Sequence, residues 1–286
     1  MPDEAAPIEH TAASVLAALP CSVTLAAGSG KTELLAAVVA QIAAGEGRTL
    51  VLTHTHAGVA ALKRRMAKFN VGSSAVAVRT IDSWAFDLIG RYPLLAGLQA
   101  PDVPDWSQSA EYHRAATRAV ASRAIRRMLQ VSYDALLVDE YQDCLIDQHH
   151  LIVAMAEAIP TAVFGDPLQG LLNFGANVPV TWETDVVPRF KEFRAPLHPR
   201  RWEAHNPALG TWLLSIRDQL EAGVSIDLRH APVTWVRRAD SNSHVAPCFD
   251  AIREGESVVA LGRFRRDCVA AASKLGRRRN ARTERT

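Results

Sequence analysis

The segment at residues 25–32, Leu-Ala-Ala-Gly-Ser-Gly-Lys-Thr, constrains the fold of this chain more than any other feature. It follows an apolar run that predicts a buried strand and precedes an apolar run that predicts a helix. In that context a small-residue turn is typical of phosphate binding, because free N–H groups at the helix N-terminus point at the anion. A Gly-Ser-Gly turn also occurs in proteins that bind no nucleotide, but the following Lys-Thr favours nucleotide binding. The loop is predicted to hold phosphate with Ala27, Gly28, Ser29, Gly30, Lys31 and Thr32.

Short apolar runs alternate with helical periodicity from residue 22 to about residue 166. Continuously apolar strands separated by helices predict an α/β fold with a parallel sheet and helices on both faces. The predicted strands are 22–27, 49–53, 75–79, 135–139 and 161–165, and the predicted helices are 31–44, 56–68, 81–91 and 147–158.

A helical insertion is predicted at residues 93–130, with a proline-marked loop at 93–106 and one amphipathic helix at 108–130. A second, incomplete α/β unit is expected at 206–286, after a first domain at 1–205. Its predicted elements are a helix at 206–221, a strand at 232–236, a helix at 243–253, a strand at 257–261 and a helix at 263–275.

Composition and charge favour a cytoplasmic protein. No apolar run approaches the roughly 18–20 residues that span a membrane, the acidic N-terminus lacks a secretion signal, and the four cysteines lie far apart. The net charge is +2, but residues 263–286 carry nine basic and two acidic residues. This basic end fits either nucleic-acid phosphates or a disordered solubilising tail.

Two carboxylates, Asp139 and Glu140, follow the apolar run Leu136-Leu137-Val138. In a phosphate-loop ATPase the first carboxylate holds Mg²⁺ and the second activates the attacking water. Gln169 follows another predicted strand, where it could contact the γ-phosphate or serve as an ordinary turn residue.

Five segments in order carry a family resemblance: residues 26–32 (AAGSGKT), 53–56 (THTH), 80–84 (TIDSW), 138–143 (VDEYQD) and 165–169 (GDPLQ). Together they resemble the UvrD/Rep branch of the superfamily 1 DNA helicases, over about residues 22–275. The resemblance implies a RecA-like P-loop NTPase fold, ATP and Mg²⁺ as cofactors, and single-stranded DNA as partner.

The resemblance also implies site roles. Lys31 and Thr32 would bind phosphate and Mg²⁺, Asp139 would bind Mg²⁺, and Glu140 would be the general base. Gln142 and Gln169 would couple the nucleotide state to DNA, Arg201 would meet the γ-phosphate, and Arg200 would stand where an aromatic stacks on adenine. The DNA contacts would come from Thr53, His54, Thr55 and His56, with Phe174 stacking on a base.

Several positions depart from the family pattern. Leu25 stands where the loop usually begins with glycine, and no glutamine precedes Gln41 to read adenine. The DNA-facing motifs differ more than the ATP-facing ones, with changes at His54, His56, Asp82 and Leu172. The last two helicase motifs, one with the arginine finger, have no counterpart before Thr286. We therefore expect an N-terminal or degenerate short form that does not unwind a duplex alone.

Other functions remain open at this point. A non-motor ATP-dependent switch that presents a surface to a protein partner would share the nucleotide site. A small-molecule kinase would share the loop but not the segments at 138–143 and 165–169. His54, His56, His149 and His150 invite a metal site but lack the ligand spacing of one.

Overall fold

A six-stranded, all-parallel sheet organises the chain, with strand order β3-β2-β4-β5-β1-β6. The computed structural model describes residues 7–170, 178–233 and 264–276. The strands are β1 Cys21–Thr24, β2 Thr49–Thr53, β3 Val76–Thr80, β4 Ala135–Val138, β5 Thr161–Gly165 and β6 Lys191–Arg194.

Helices connect these strands and cover the sheet. They are α1 Ile8–Ala17, α2 Lys31–Ala44, α3 His56–Lys68, α4 Ile81–Arg91, α5 Pro93–Ala96, α6 Ser109–Val120, α7 Arg123–Ser132, α8 Ile146–Ala156, α9 Pro207–Ser215, α10 Arg217–Glu221 and α11 Arg265–Gly276. Single turns of 3₁₀ helix lie at Trp106–Gln108, Tyr141–Asp143 and Pro167–Gln169.

Two hydrophobic clusters, one on each face of the sheet, form the core. Successive side chains of a strand point to opposite faces, so Leu50 and Leu52 of β2 pack with α4, α6, α7 and α8, whereas Val51 packs with α1, α2 and α3. The predicted α/β fold with helices on both faces is confirmed.

The register brings the carboxyl ends of the central strands to one edge. Thr24 of β1 lies opposite Gly165 of β5, and Leu52 of β2 lies opposite Val138 of β4. Ligands of such sheets bind beyond this edge. The loops after β1, β4 and β5 are therefore placed side by side.

Several predicted boundaries were wrong. The single helix predicted at 108–130 is two helices, because the chain turns at residues 121–122 and the Ser122 hydroxyl accepts the Ile125 N–H at the start of α7. The predicted strand 22–27 ends at Thr24, and the predicted strand 135–139 ends at Val138, so their last residues belong to the loops of the sheet edge. Helix α1, the short helix α5 and strand β6 were not predicted.

The chain divides into two compact units, Met1–Asp227 and Leu228–Thr286. Helices α9 and α10 replace the single helix predicted at 206–221, and they lie in the first unit. In the second unit, α11 corresponds to the helix predicted at 263–275. The helix predicted at 243–253, the strand at 257–261 and most of the strand at 232–236 lie outside the described residues, so the incomplete α/β unit stays a prediction.

Candidate nucleotide-binding site

The loop between β1 and α2 has a backbone that only small residues adopt easily. Gly28 and Gly30 have φ angles of +77° and +89°, in the left-handed region that favours glycine. Gly30 is the last residue before α2, so Lys31 begins the helix. The predicted loop is thus placed at a helix N-terminus, where N–H groups without helical partners can bind an anion. Two N–H groups of the loop are already engaged, since Ala27 donates to Asp166 and Ser29 donates to the Ala26 carbonyl.

Two arginines lie against this loop. The Arg201 N–H donates to the Gly28 carbonyl at 3.0 Å. A Cβ at Gly30 would lie 2.8 Å from Cδ of Arg200, and a Cβ at Gly28 would lie 3.1 Å from Cβ of Arg201. The glycines therefore permit the close approach of the segment that carries both predicted arginines.

Lys31 and Glu140 form an ion pair between the loop and the end of β4. Glu140 has a left-handed backbone, with φ of +54°, which is uncommon for a residue with a side chain. Burial raises the pKa of Glu140, but the Lys31 ammonium and a hydrogen bond from Gln142 more than offset it, so the pKa lies below its ordinary value. Glu140 is therefore a carboxylate at neutral pH.

Asp139 is 5% exposed, and its Oδ1 has no hydrogen-bond partner among the described residues. Burial, together with the charge of Glu140, raises the pKa of Asp139 to about 6. Mg²⁺ prefers oxygen ligands such as carboxylates, and this carboxylate oxygen has no other hydrogen-bond partner among the described residues. The Thr32 hydroxyl is a further oxygen donor, on a residue that lines the cavity beside the loop. The residues present therefore fit a magnesium ion.

Asp166, just after β5, is the centre of a buried hydrogen-bond network. Its Oδ2 accepts the Ala27 N–H at 3.0 Å and the Gln169 amide at 2.8 Å. Its Oδ1 accepts the Arg217 guanidinium at 2.6 Å. Gln142 joins this network to Glu140, because its carbonyl oxygen accepts the Asp166 N–H and its amide donates to Glu140.

A cavity of about 320 Å³ lies beside the loop. The side chains of Asp139, Gln142 and Asp166 are not among its lining residues. Its lining contains six of the side chains predicted to act on nucleotide, and it adds a basic and an acidic residue from α3 and α2. The predicted residues are Lys31, Thr32, Glu140, Gln169, Arg200 and Arg201, and the additions are Arg65 and Glu33.

The predicted DNA-contacting residues are placed differently. Thr53 is buried, whereas Thr55 and His56 are exposed at the start of α3, where the Thr55 hydroxyl accepts the Gly58 N–H. His54 is half-buried, with Nε2 3.6 Å from the Cys144 sulfur. Phe174 lies outside the described residues, as does Leu172.

Asp82, one of the departures from the family pattern, is held inside the fold. Its Oδ1 lies 2.8 Å from Nε2 of His113 and accepts the Gln148 amide at 2.9 Å. Within the described ranges, no group of three or more His, Cys, Asp or Glu side chains could hold a metal ion.

Three residues of the site were missed by the sequence reasoning. Arg65 and Arg217 carried no signal, because each is one arginine among many in a predicted helix. Asp166 belongs to the segment GDPLQ, and its place directly after a predicted strand is the signal that could have found it.

Comparison with known proteins places the site in a known family. A sequence model of the AAA domain family matches residues 9–175, which include the loop, both carboxylates and Gln169. No curated protein matches the chain.

A crystal structure of the Pif1 helicase from Candida albicans is similar at a TM-score of 0.45 and 13% identity, over 87% of this chain and 55% of that chain. The chain thus spans about half the length of this solved structure. None of the helices in the described ranges is both long and apolar enough to cross a membrane.

Proposed function

The chain belongs to the AAA domain family, and from that premise we propose that it is a superfamily 1 helicase-type motor domain that binds and hydrolyses ATP with Mg²⁺. The observation that carries this proposal is the cavity at the sheet edge, where Lys31, Arg200 and Arg201 converge with Glu140. Cations around a glycine-rich loop stabilise phosphate charge, and a carboxylate beside them can accept a proton from water.

Lys31 has two roles in this proposal. In the structure its ammonium is paired with Glu140. A bound phosphate offers the ammonium a second anionic partner, so that the Glu140 carboxylate is free to accept a hydrogen bond from water. Gln142 holds the carboxylate through its amide at 2.9 Å, which keeps the base oriented.

Mg²⁺ would be held by Asp139 and Thr32, together with phosphate oxygens and water. Bound there, the ion would neutralise charge on the phosphates. Burial of Asp139 favours a partner that compensates its charge, since an isolated buried carboxylate is costly.

Single-stranded DNA is the proposed substrate of the motor, as in the UvrD/Rep branch. Thr55 and His56 are exposed at the N-terminus of α3, so their backbone and side chains are available to a phosphate. Phe174 would add stacking on a base. Location in the cytoplasm stays a prediction.

A specific observation favours a second function, a non-motor switch that responds to a protein. Two of the residues that depart from the family's DNA-facing motifs make contacts within the fold. Asp82 binds His113 and Gln148, and His54 contacts Cys144. ATPase activity measured with and without single-stranded DNA separates the two functions, because only the motor should be stimulated.

The test of ATP hydrolysis is the substitution Glu140→Gln. It keeps the shape of the side chain and removes the base, so we expect nucleotide to bind while turnover falls about 10²–10⁴-fold. Glu157→Gln is the matched control, because the Glu157 side chain is 56% exposed and pairs with Arg126 away from the cavity. Wild-type turnover in Glu140→Gln would refute the role of Glu140.

A further inference from the structure

The cavity beside the phosphate loop is lined mainly by charged side chains and not by aromatic ones. Four cationic side chains face it, and the apolar part of its lining comes from small loop residues. No aromatic side chain is among the described residues that line it. The Trp202 indole lies beside the loop, with Nε1 3.4 Å from the position of a Cβ on Gly28, but outside this lining. The cations are Lys31, Arg65, Arg200 and Arg201.

Three polar side chains of the described cavity lining, those of Glu33, Glu140 and Gln169, are already engaged in contacts with other side chains. Glu33 accepts the Arg65 guanidinium at 2.6 Å, and Glu140 is paired with Lys31. The Gln169 amide donates to Asp166 at 2.8 Å. A base edge that competed for the atoms already bonded would have to break one of these contacts, which are charge-assisted and therefore strong.

Arg200 provides a contact that does not depend on the base. Its Cδ lies over Gly30, which places the side chain beside the phosphate loop. A planar guanidinium can stack on any base, since every base has a π-face. Strong discrimination requires a site built to hydrogen-bond one particular group, and a site without such groups discriminates weakly.

We propose that this site takes nucleoside triphosphates as a class, through their phosphates, and does not distinguish ATP from GTP. The inference rests on the proposed nucleotide site and specifies its substrate. Phosphate recognition by Lys31, Arg65 and Arg201 supplies the affinity, and Arg200 stacks on the base whatever its identity.

The test measures binding of the β,γ-imido analogues of ATP and GTP, with Mg²⁺, to the full chain by calorimetry. We expect dissociation constants within tenfold of each other, and displacement of both analogues by inorganic tripolyphosphate. A preference of tenfold or more for either analogue overturns the inference, and so does failure of tripolyphosphate to compete.

The variant Arg200→Ala gives an independent readout. We expect it to weaken both analogues by the same factor, whereas Arg189→Ala, an exposed arginine outside the cavity lining, should change neither. A loss confined to the ATP analogue would show that Arg200 belongs to an adenine-specific site and would overturn the inference. If neither analogue binds, the proposed function fails as well, so the two failures are distinguishable.

Discussion

At the scale of single residues, Asp166 shows how a buried charge is tolerated at this sheet edge. Burial would raise the pKa of Asp166, but hydrogen bonds from Arg217 and Gln169 hold it below its ordinary value. The carboxylate is 1% exposed and the Arg217 side chain 10% exposed, so each compensates the charge of the other. The pair links α10 to the phosphate loop, because the same carboxylate also binds the Ala27 N–H.

We therefore expect Arg217→Met to destabilise the protein by about 3–5 kcal/mol, since removal of one partner leaves a buried charge uncompensated. Urea unfolding at neutral pH measures this change. The control is Arg194→Ala, whose guanidinium pairs with Glu192 while 84% exposed and should cost no more than about 1 kcal/mol. An equal, small loss in both variants would contradict the role of the Arg217 pair.

At the scale of elements, helix α8 is joined to the loop after β4 by a buried contact. The Tyr141 hydroxyl lies 2.9 Å from Nδ1 of His149, and Tyr141 is fully buried. Burial, with the charge of neighbouring His150, lowers the pKa of His149 to about 4. The folded protein thus keeps this imidazole neutral in a pH range where an unfolded chain would protonate it.

The sign of the pH dependence follows from that difference. Between pH 6.5 and about 4, the unfolded chain binds more protons at His149 than the folded chain does. The contribution of His149 to stability is therefore complete above pH 6.5 and is lost as the pH falls toward 4. We expect His149→Gln to lose less stability than the wild type between pH 7 and pH 4.5, measured by urea midpoints. Parallel losses in the two proteins would show that His149 is not the titrating group.

At the scale of the whole molecule, the candidate site draws on residues far apart in the chain. Its residues come from loops and helices along most of the first compact unit: Ala27, Glu140, Asp166, Arg201 and Arg217. A ligand bound there contacts groups whose positions depend on the folded unit, so binding stabilises the fold by mass action.

We expect saturating Mg²⁺-nucleotide to raise the melting temperature. At a ligand concentration 100 times the dissociation constant, the gain is about 2.7 kcal/mol, or roughly 5–10 °C for a unit of this size. Lys31→Ala should show little or no shift at the same nucleotide concentration, because it lacks the charge that contacts phosphate. An equal shift in both proteins, measured by scanning fluorimetry, would place binding elsewhere.

Local pattern was sufficient to predict the motifs and most of the central strands and helices. Apolar runs at 49–53 and 161–165 predicted strands with the observed bounds, and the helix beginning at Lys31 was predicted from its loop. These features depend on residues close together in the sequence, because apolar spacing and glycines determine the local conformation over only a few residues. The edge strand Lys191–Arg194 has no apolar run, so sequence could not reveal it.

The sequence by itself determined that an α/β domain would place a phosphate loop, two carboxylates and a glutamine at strand ends. Only the tertiary structure decided which other side chains meet them. Arg65, Asp166 and Arg217 join the site because the sheet order and helix packing bring distant segments together. The physical reason is that a buried charge is stabilised by whichever opposite charge the fold brings within hydrogen-bond distance, and the spacing of residues along the chain does not encode that distance.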